Sequence, residues 1–308
     1  MMRHALLLTA CLVPCFARAE TFQSFDVPGA YGTCGSAIAS TGLVAGTTLV
    51  PDTVGTAETD STTPAQTVQP FLYAAGRLSY PQHGLPAGLV TFTGVNSHRA
   101  VTGNAFNGNA LDPVTVNFVY HDRKISTPSI GALSLGALIG ITDRGVILGE
   151  TFVPTPIGGG FTWNRTVGFL RAADDTVTMI DDGSGLLAPR GMDAKADRVV
   201  GTGLANGSGG WLFSHGAFTA VTYPGSTFTI PSGVDESGTI SGTYQVGDPA
   251  PGATVVSHGF FLRHGIYTTY DVPRRGVTGT AIQGMNEADQ ITGCYTDAKG
   301  THGFIRTP

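Results

Sequence analysis

The chain is short of charge: Asp, Glu, Lys and Arg make up 13% of its 308 residues, and its lysines are Lys124, Lys195 and Lys299. No basic cluster exceeds Arg274-Arg275, and the formal net charge is −5. That balance excludes a nucleic-acid partner, which needs a basic patch or stripe. Apolar runs long enough for a membrane span, about 20 residues, are lacking. Beyond residue 19 there is no sustained helical periodicity, and no G-x-S-x-G elbow marks a serine nucleophile. What the chain does have is glycine, 44 residues, together with 41% hydrophobic residues. That mixture fits a well-buried all-β core with many tight turns and argues against disorder.

Residues 1–19 read as a secretory signal. Arg3 and His4 precede an apolar run from Ala5 to Phe16, and Ala17-Arg18-Ala19 forms a small-x-small cleavage site before Glu20. The expected product is one domain, residues 20–308, exported to the periplasm or beyond. Of four cysteines, Cys11 and Cys15 fall in the signal, which leaves Cys34 and Cys294. An oxidising compartment would permit a bond between these two; the alternative is two separate buried thiols.

One pattern recurs six times. At the C-terminal end it runs Gly284-Met285-Asn286, a turn through Asp289, then Ile291 and Gly293. The same frame fits Ala37-Ile38-Ala39 to Gly46, Gly94-Val95-Asn96 to Gly103, Gly140-Ile141-Thr142 to Gly149, Gly191-Met192-Asp193 to Gly201 and Gly233-Val234-Asp235 to Gly242. Two residues before each closing glycine stands Val or Ile, as expected for the buried face of a strand. The glycine itself implies that a backbone or ring packs closely there. An aromatic strand follows (Phe71, Phe118, Phe169, Trp211, Phe260, Phe304), then a short turn and a last strand, which in five cases exits through proline: Pro28, Pro81, Pro128, Pro224 and Pro273. Proline suits the end of an outer strand because it has no N–H for a ladder.

Four short strands about 50 residues apart predict a six-bladed β-propeller of four-stranded blades. The sixth copy ends at Phe304-Ile305-Arg306 without a fourth strand, whereas residues 22–28 form a fourth strand with no blade of its own. The N-terminal strand is therefore expected to close the last blade.

Length varies most between the second and third strands. That connection emerges on the same side of the disc as the blade-to-blade links, so insertions crowd one face, where binding residues usually sit. The segment 151–168 brings Phe161, Trp163 and Arg165 beside a triple glycine, suited to stacking on a sugar or another planar ligand. Asn104 and Phe106 lie in a second insertion, Tyr244 beside a third, and Glu150 with Asn104 is the pair nearest one rim with the makings of a cation site. Asn96, Asp193, Asp235 and Asn286 share one repeat position, where Asx side chains serve hairpin turns.

The last copy, with its G-M-N turn, the I-T-G-C-Y strand of Ile291 to Tyr295 and His302-Gly303-Phe304, resembles the bacterial extracellular HAF-repeat proteins. Their exit motif is matched by Asp26, Pro28 and Gly29, and by Asp271 and Pro273. The resemblance implies a secreted or cell-surface repeat protein and carries over no catalytic residues. The expected function is thus a non-catalytic binding propeller whose partner is a glycan or an envelope protein. The alternative is a propeller enzyme acting on a sugar, lactone or polysaccharide with a cation in its channel.

Overall fold

The computed structural model describes residues 20–51, 66–81, 83–109, 112–203, 209–247 and 255–308. The signal-like segment 1–19, and most of the 51–69 and 245–257 insertions, lie outside the described residues. After β1 (Thr21–Phe25), blade 1 holds β2 (Gly35–Ile38), β3 (Val44–Pro51), β4 (Gln66–Ala74) and β5 (Arg77–Ser79). Blade 2 holds β6 (Leu89–Val95), β7 (Val101–Asn109), β8 (Asp112–His121) and β9 (Lys124–Ser126). Blade 3 holds β10 (Ser134–Ile141), β11 (Ile147–Gly158), β12 (Phe161–Arg171) and β13 (Val177–Ile180). Blade 4 holds β14 (Ala188–Met192), β15 (Arg198–Thr202), β16 (Gly210–Ser214) and β17 (Ala217–Val221). Blade 5 holds β18 (Phe228–Val234), β19 (Ile240–Val246), β20 (Val256–Arg263) and β21 (Ile266–Tyr270), and blade 6 adds β22 (Gly279–Met285), β23 (Ile291–Asp297) and β24 (Gly300–Thr307) to β1.

Every blade is an antiparallel meander, and the sixth has the order β1-β24-β23-β22. Thr21 lies opposite Thr307 and Phe25 opposite Gly303, so the first strand is the outer strand of the last blade. Pairing removes what would otherwise be an open sheet edge. Phe22 stacks on Phe304 with ring centroids 6.0 Å apart, and His302 Nδ1 lies 2.8 Å from Asp26 Oδ1. Cys34 and Cys294 are bonded, with Cα atoms 4.7 Å apart, across the seam between blades 6 and 1.

The repeat positions have local causes. The Asx side chains cap the turns between first and second strands: Asn96 Oδ1 accepts the N–H groups of His98 and Ala100, and Asn286 Oδ1 those of Ala288 and Gln290. Each of these asparagines also donates to the neighbouring blade, Asn96 Nδ2 to the Thr142 carbonyl and Asn286 Nδ2 to that of Ala39. The closing glycines make room for the aromatic of the next strand. A Cβ built on Gly103 would fall 2.5 Å from Phe118 Cζ, and one on Gly149 2.5 Å from Phe169 Cζ. Phe71, Phe118, Phe169, Trp211, Phe260 and Phe304 are all fully buried.

Candidate functional site

Among the described residues the longest strands on the long-loop face belong to blade 3. Beyond Phe152, β11 pairs only with β12, and β13 reaches only Gly168 to Arg171, so residues 153–165 form a two-stranded ribbon. Gly159 and Gly160, both with positive φ, turn its tip. That conformation costs an L-residue strain and glycine almost none. Phe161, Trp163 and Arg165 alternate along β12 and so share one face. Phe161 is 71% exposed and Trp163 43%, with Ile157 beside the tip at 64%.

Arg165 differs from the sequence expectation. Its Nη1 and Nη2 donate to both oxygens of Asp181, at 3.0 and 2.8 Å, and its Nε donates to Thr155 Oγ1. A guanidinium held in such a fork anchors the ribbon base instead of offering its charge to a ligand. The segment after Asp181 closes over the same face, where a Cβ on Gly185 would meet Trp163 Cη2 at 2.7 Å.

Two other expected ligand residues are already engaged. Tyr244 is 7% exposed, stacked against Tyr223 at 3.6 Å between centroids and flanked by His258 at 5.2 Å. Its hydroxyl lies 2.9 Å from Thr269 Oγ1, so it is a packing residue of blade 5. Asn104 Oδ1 accepts the Leu138 N–H at 2.9 Å while its Nδ2 donates to the Leu138 carbonyl at 3.2 Å. With both amide groups tying blade 2 to blade 3, Asn104 is not free to join Glu150 around a cation. Phe106 is 40% exposed on β7 of blade 2, paired between Leu89 and Thr115. Among the described residues no three His, Cys, Asp or Glu side chains converge as a metal site.

Around the axis, every first strand carries a β-bulge at the same place, and the extra residues are Ser36, Thr93, Ile139, Arg190, Ser232 and Gln283. A bulge re-aims one side chain out of the ladder. All six line a channel cavity of about 130 Å³. The spacing of the repeat gave no warning of this, because a bulge adds one residue without disturbing the residues on either side. Thr93 and Ser232 are spent on the next blade's carbonyls, at Leu138 and Ile282.

The channel's carboxylates are also occupied. Asp193 accepts from Asp197 and Arg198, Asp143 from the Ser97 N–H, and Glu287 from the N–H groups of Ala194 and Glu236. Burial raises the Glu287 pKa; those two N–H bonds counter the rise without cancelling it, while the charges of Glu236 and Asp193 add to it. Glu150 is also pushed above the usual carboxyl range by burial, with the Arg190 charge offsetting part of the rise.

With this geometry in view, the chain is a closed six-bladed propeller. Solved structures of similar architecture include a gluconolactonase from Xanthomonas campestris, at 11% identity over 90% of this chain and 87% of the other, with a TM-score of 0.47. A virginiamycin B lyase from Staphylococcus aureus is also 11% identical, over 94% of this chain and 100% of the other, TM-score 0.47. The propeller domain of the Trilobed protease from Pyrococcus furiosus is 8% identical over 90% and 95%, TM-score 0.47. No family model and no curated protein matches the chain.

Proposed function

We propose that this is a secreted, non-catalytic propeller that binds carbohydrate through the aromatic ribbon of blade 3. The observation that carries the reading is the pair Phe161 and Trp163, 71% and 43% exposed on one face of the ribbon. Rings two residues apart on a strand stand about 7 Å from each other, enough to lie against successive apolar faces of a glycan. The Arg165–Asp181 fork holds the platform still, which limits the ordering cost of binding.

Export through residues 1–19 and kinship with the HAF-repeat proteins belong to the same proposal. The two halves of that repeat's pattern meet physically: His258 of one strand bonds Asp271 of the exit, and His302 bonds Asp26. Conserving both would conserve the outer hairpin.

The test is binding of purified residues 20–308 to a glycan array, repeated with Trp163→Ala and Phe161→Ala. A saccharide bound by the wild type and lost by at least about tenfold in either variant, equivalent to ~1.4 kcal/mol, is expected. Binding untouched by both substitutions would remove the ribbon from the reading, and an empty array would remove the carbohydrate.

A further inference from the structure

One repeat position recurs at all six seams between blades, and three of them use it for the same hydrogen bond. The residue after each closing glycine is Thr47, Asn104, Glu150, Thr202, Thr243 or Cys294, and it faces the first strand of the next blade. Thr47 accepts the Phe92 N–H, Asn104 that of Leu138 and Thr243 that of Ile282. Cys294 is bonded covalently to Cys34. In the two remaining seams the repeat position held elsewhere by Phe92, Leu138 and Ile282 is proline, Pro189 in the blade after Glu150 and Pro231 in the blade after Thr202, and proline has no N–H to give.

Glu150 therefore stands at a stitching position with no stitch to make, and no hydrogen bond joins its carboxyl to any described residue. The bulge of blade 4 carries Arg190 to the channel, exposed and without an ion pair among the described residues, and close enough for its charge to act on Glu150. The channel's other charges, Asp143, Asp193 and Glu287, all have partners. Gly136 lies beneath: a Cβ there would be 3.2 Å from Glu150 Cγ and 3.3 Å from Phe152 Cε2, so glycine leaves the carboxyl and the half-exposed ring open side by side.

We propose that the blade 3–blade 4 seam is a second subsite that takes an acidic sugar, its carboxylate on Arg190, a hydroxyl on Glu150 and its apolar face toward Phe152. A guanidinium forks onto a carboxylate, a carboxyl group accepts or donates to a sugar hydroxyl, and a ring covers C–H surface. The inference rests on the carbohydrate reading but uses the opposite face of the ribbon, so the two fail separately.

The test uses free glucuronate, its methyl ester and glucose as probes, with calorimetry on residues 20–308. Glucuronate should bind at least tenfold more tightly than the ester or glucose. Arg190→Gln should erase that preference, and Glu150→Gln should weaken glucuronate severalfold. Glu150→Thr, which installs the residue of blades 1, 4 and 5, should leave the melting temperature equal or higher. Absence of saturable glucuronate binding, a preference that survives Arg190→Gln, or a lower melting temperature in Glu150→Thr would each overturn the subsite. Array binding that depends on Trp163 together with no glucuronate binding sinks only this inference, and the reverse pattern sinks only the ribbon.

Discussion

Cys34 and Cys294, 260 residues apart in sequence, are bonded, and Cys294 holds the repeat position from which Thr47, Asn104 and Thr243 hydrogen-bond to the next blade. The covalent link thus replaces one stitch of a series, at the seam where the ring is closed by residues from both ends of the chain. Cross-linking so long a loop restricts the unfolded chain, and such bonds typically stabilise by ~2–4 kcal/mol. Thermal melts with and without reductant should differ by roughly 5 °C or more, and a Cys34→Ser, Cys294→Ser double variant should match the reduced protein and ignore reductant.

His302 gives the clasp a pH dependence. Burial alone would depress its pKa, but hydrogen bonds and charge from Asp26 and Asp297 outweigh burial and raise it. A histidine raised in the folded state contributes fully below its unfolded value, about 6.5, and the contribution fades as pH climbs through the folded value. Amide exchange in β1 should therefore quicken between pH 6 and pH 8 beyond the chemical rate change. Asp26→Asn should flatten that dependence.

The turn asparagines should be costly to lose. Asn286→Ala removes acceptors for two turn N–H groups and the donor to Ala39 in blade 1. A loss of about 1–3 kcal/mol is expected from the groups left unpaired. Chemical denaturation of Asn286→Ala and Asn96→Ala checks it, and a change below about 0.5 kcal/mol would contradict the capping role.

Closing glycines should reject even a methyl. Gly103→Ala drives a Cβ into Phe118 and should destabilise by ~1–3 kcal/mol. Pairing it with Phe118→Leu should recover part of that loss. If the two costs simply add in denaturant melts, the ring is not what the glycine serves.

The ring was readable because its causes are local and repeated. Val or Ile two before each glycine, the aromatic that follows and the exit proline are set by packing that each blade must solve again. The clasp followed from the same count, since a sixth copy lacked a strand and residues 22–28 had one to spare. Site residues were harder, because exposure depends on what the next blade brings. Tyr244 sits beside an insertion in sequence but is sandwiched by Tyr223 and His258, and Arg165 is matched by Asp181 from across the blade. Arg190 passed unnoticed because a bulge, invisible to a period-two count, turns it toward the axis. Glu150 drew notice by type alone; its lack of a partner shows only when the next blade is seen to bring Pro189, without an N–H, to the stitching position.

Thr21 lying across from Thr307 has a further meaning for protein engineering. A few residues of linker could join these neighbours, and new ends could be opened at an outer hairpin such as His264-Gly265 without cutting any seam. A circular permutant of this kind should keep all six sheets, exchanging a two-ended blade for a continuous one and moving the break to a solvent-facing turn.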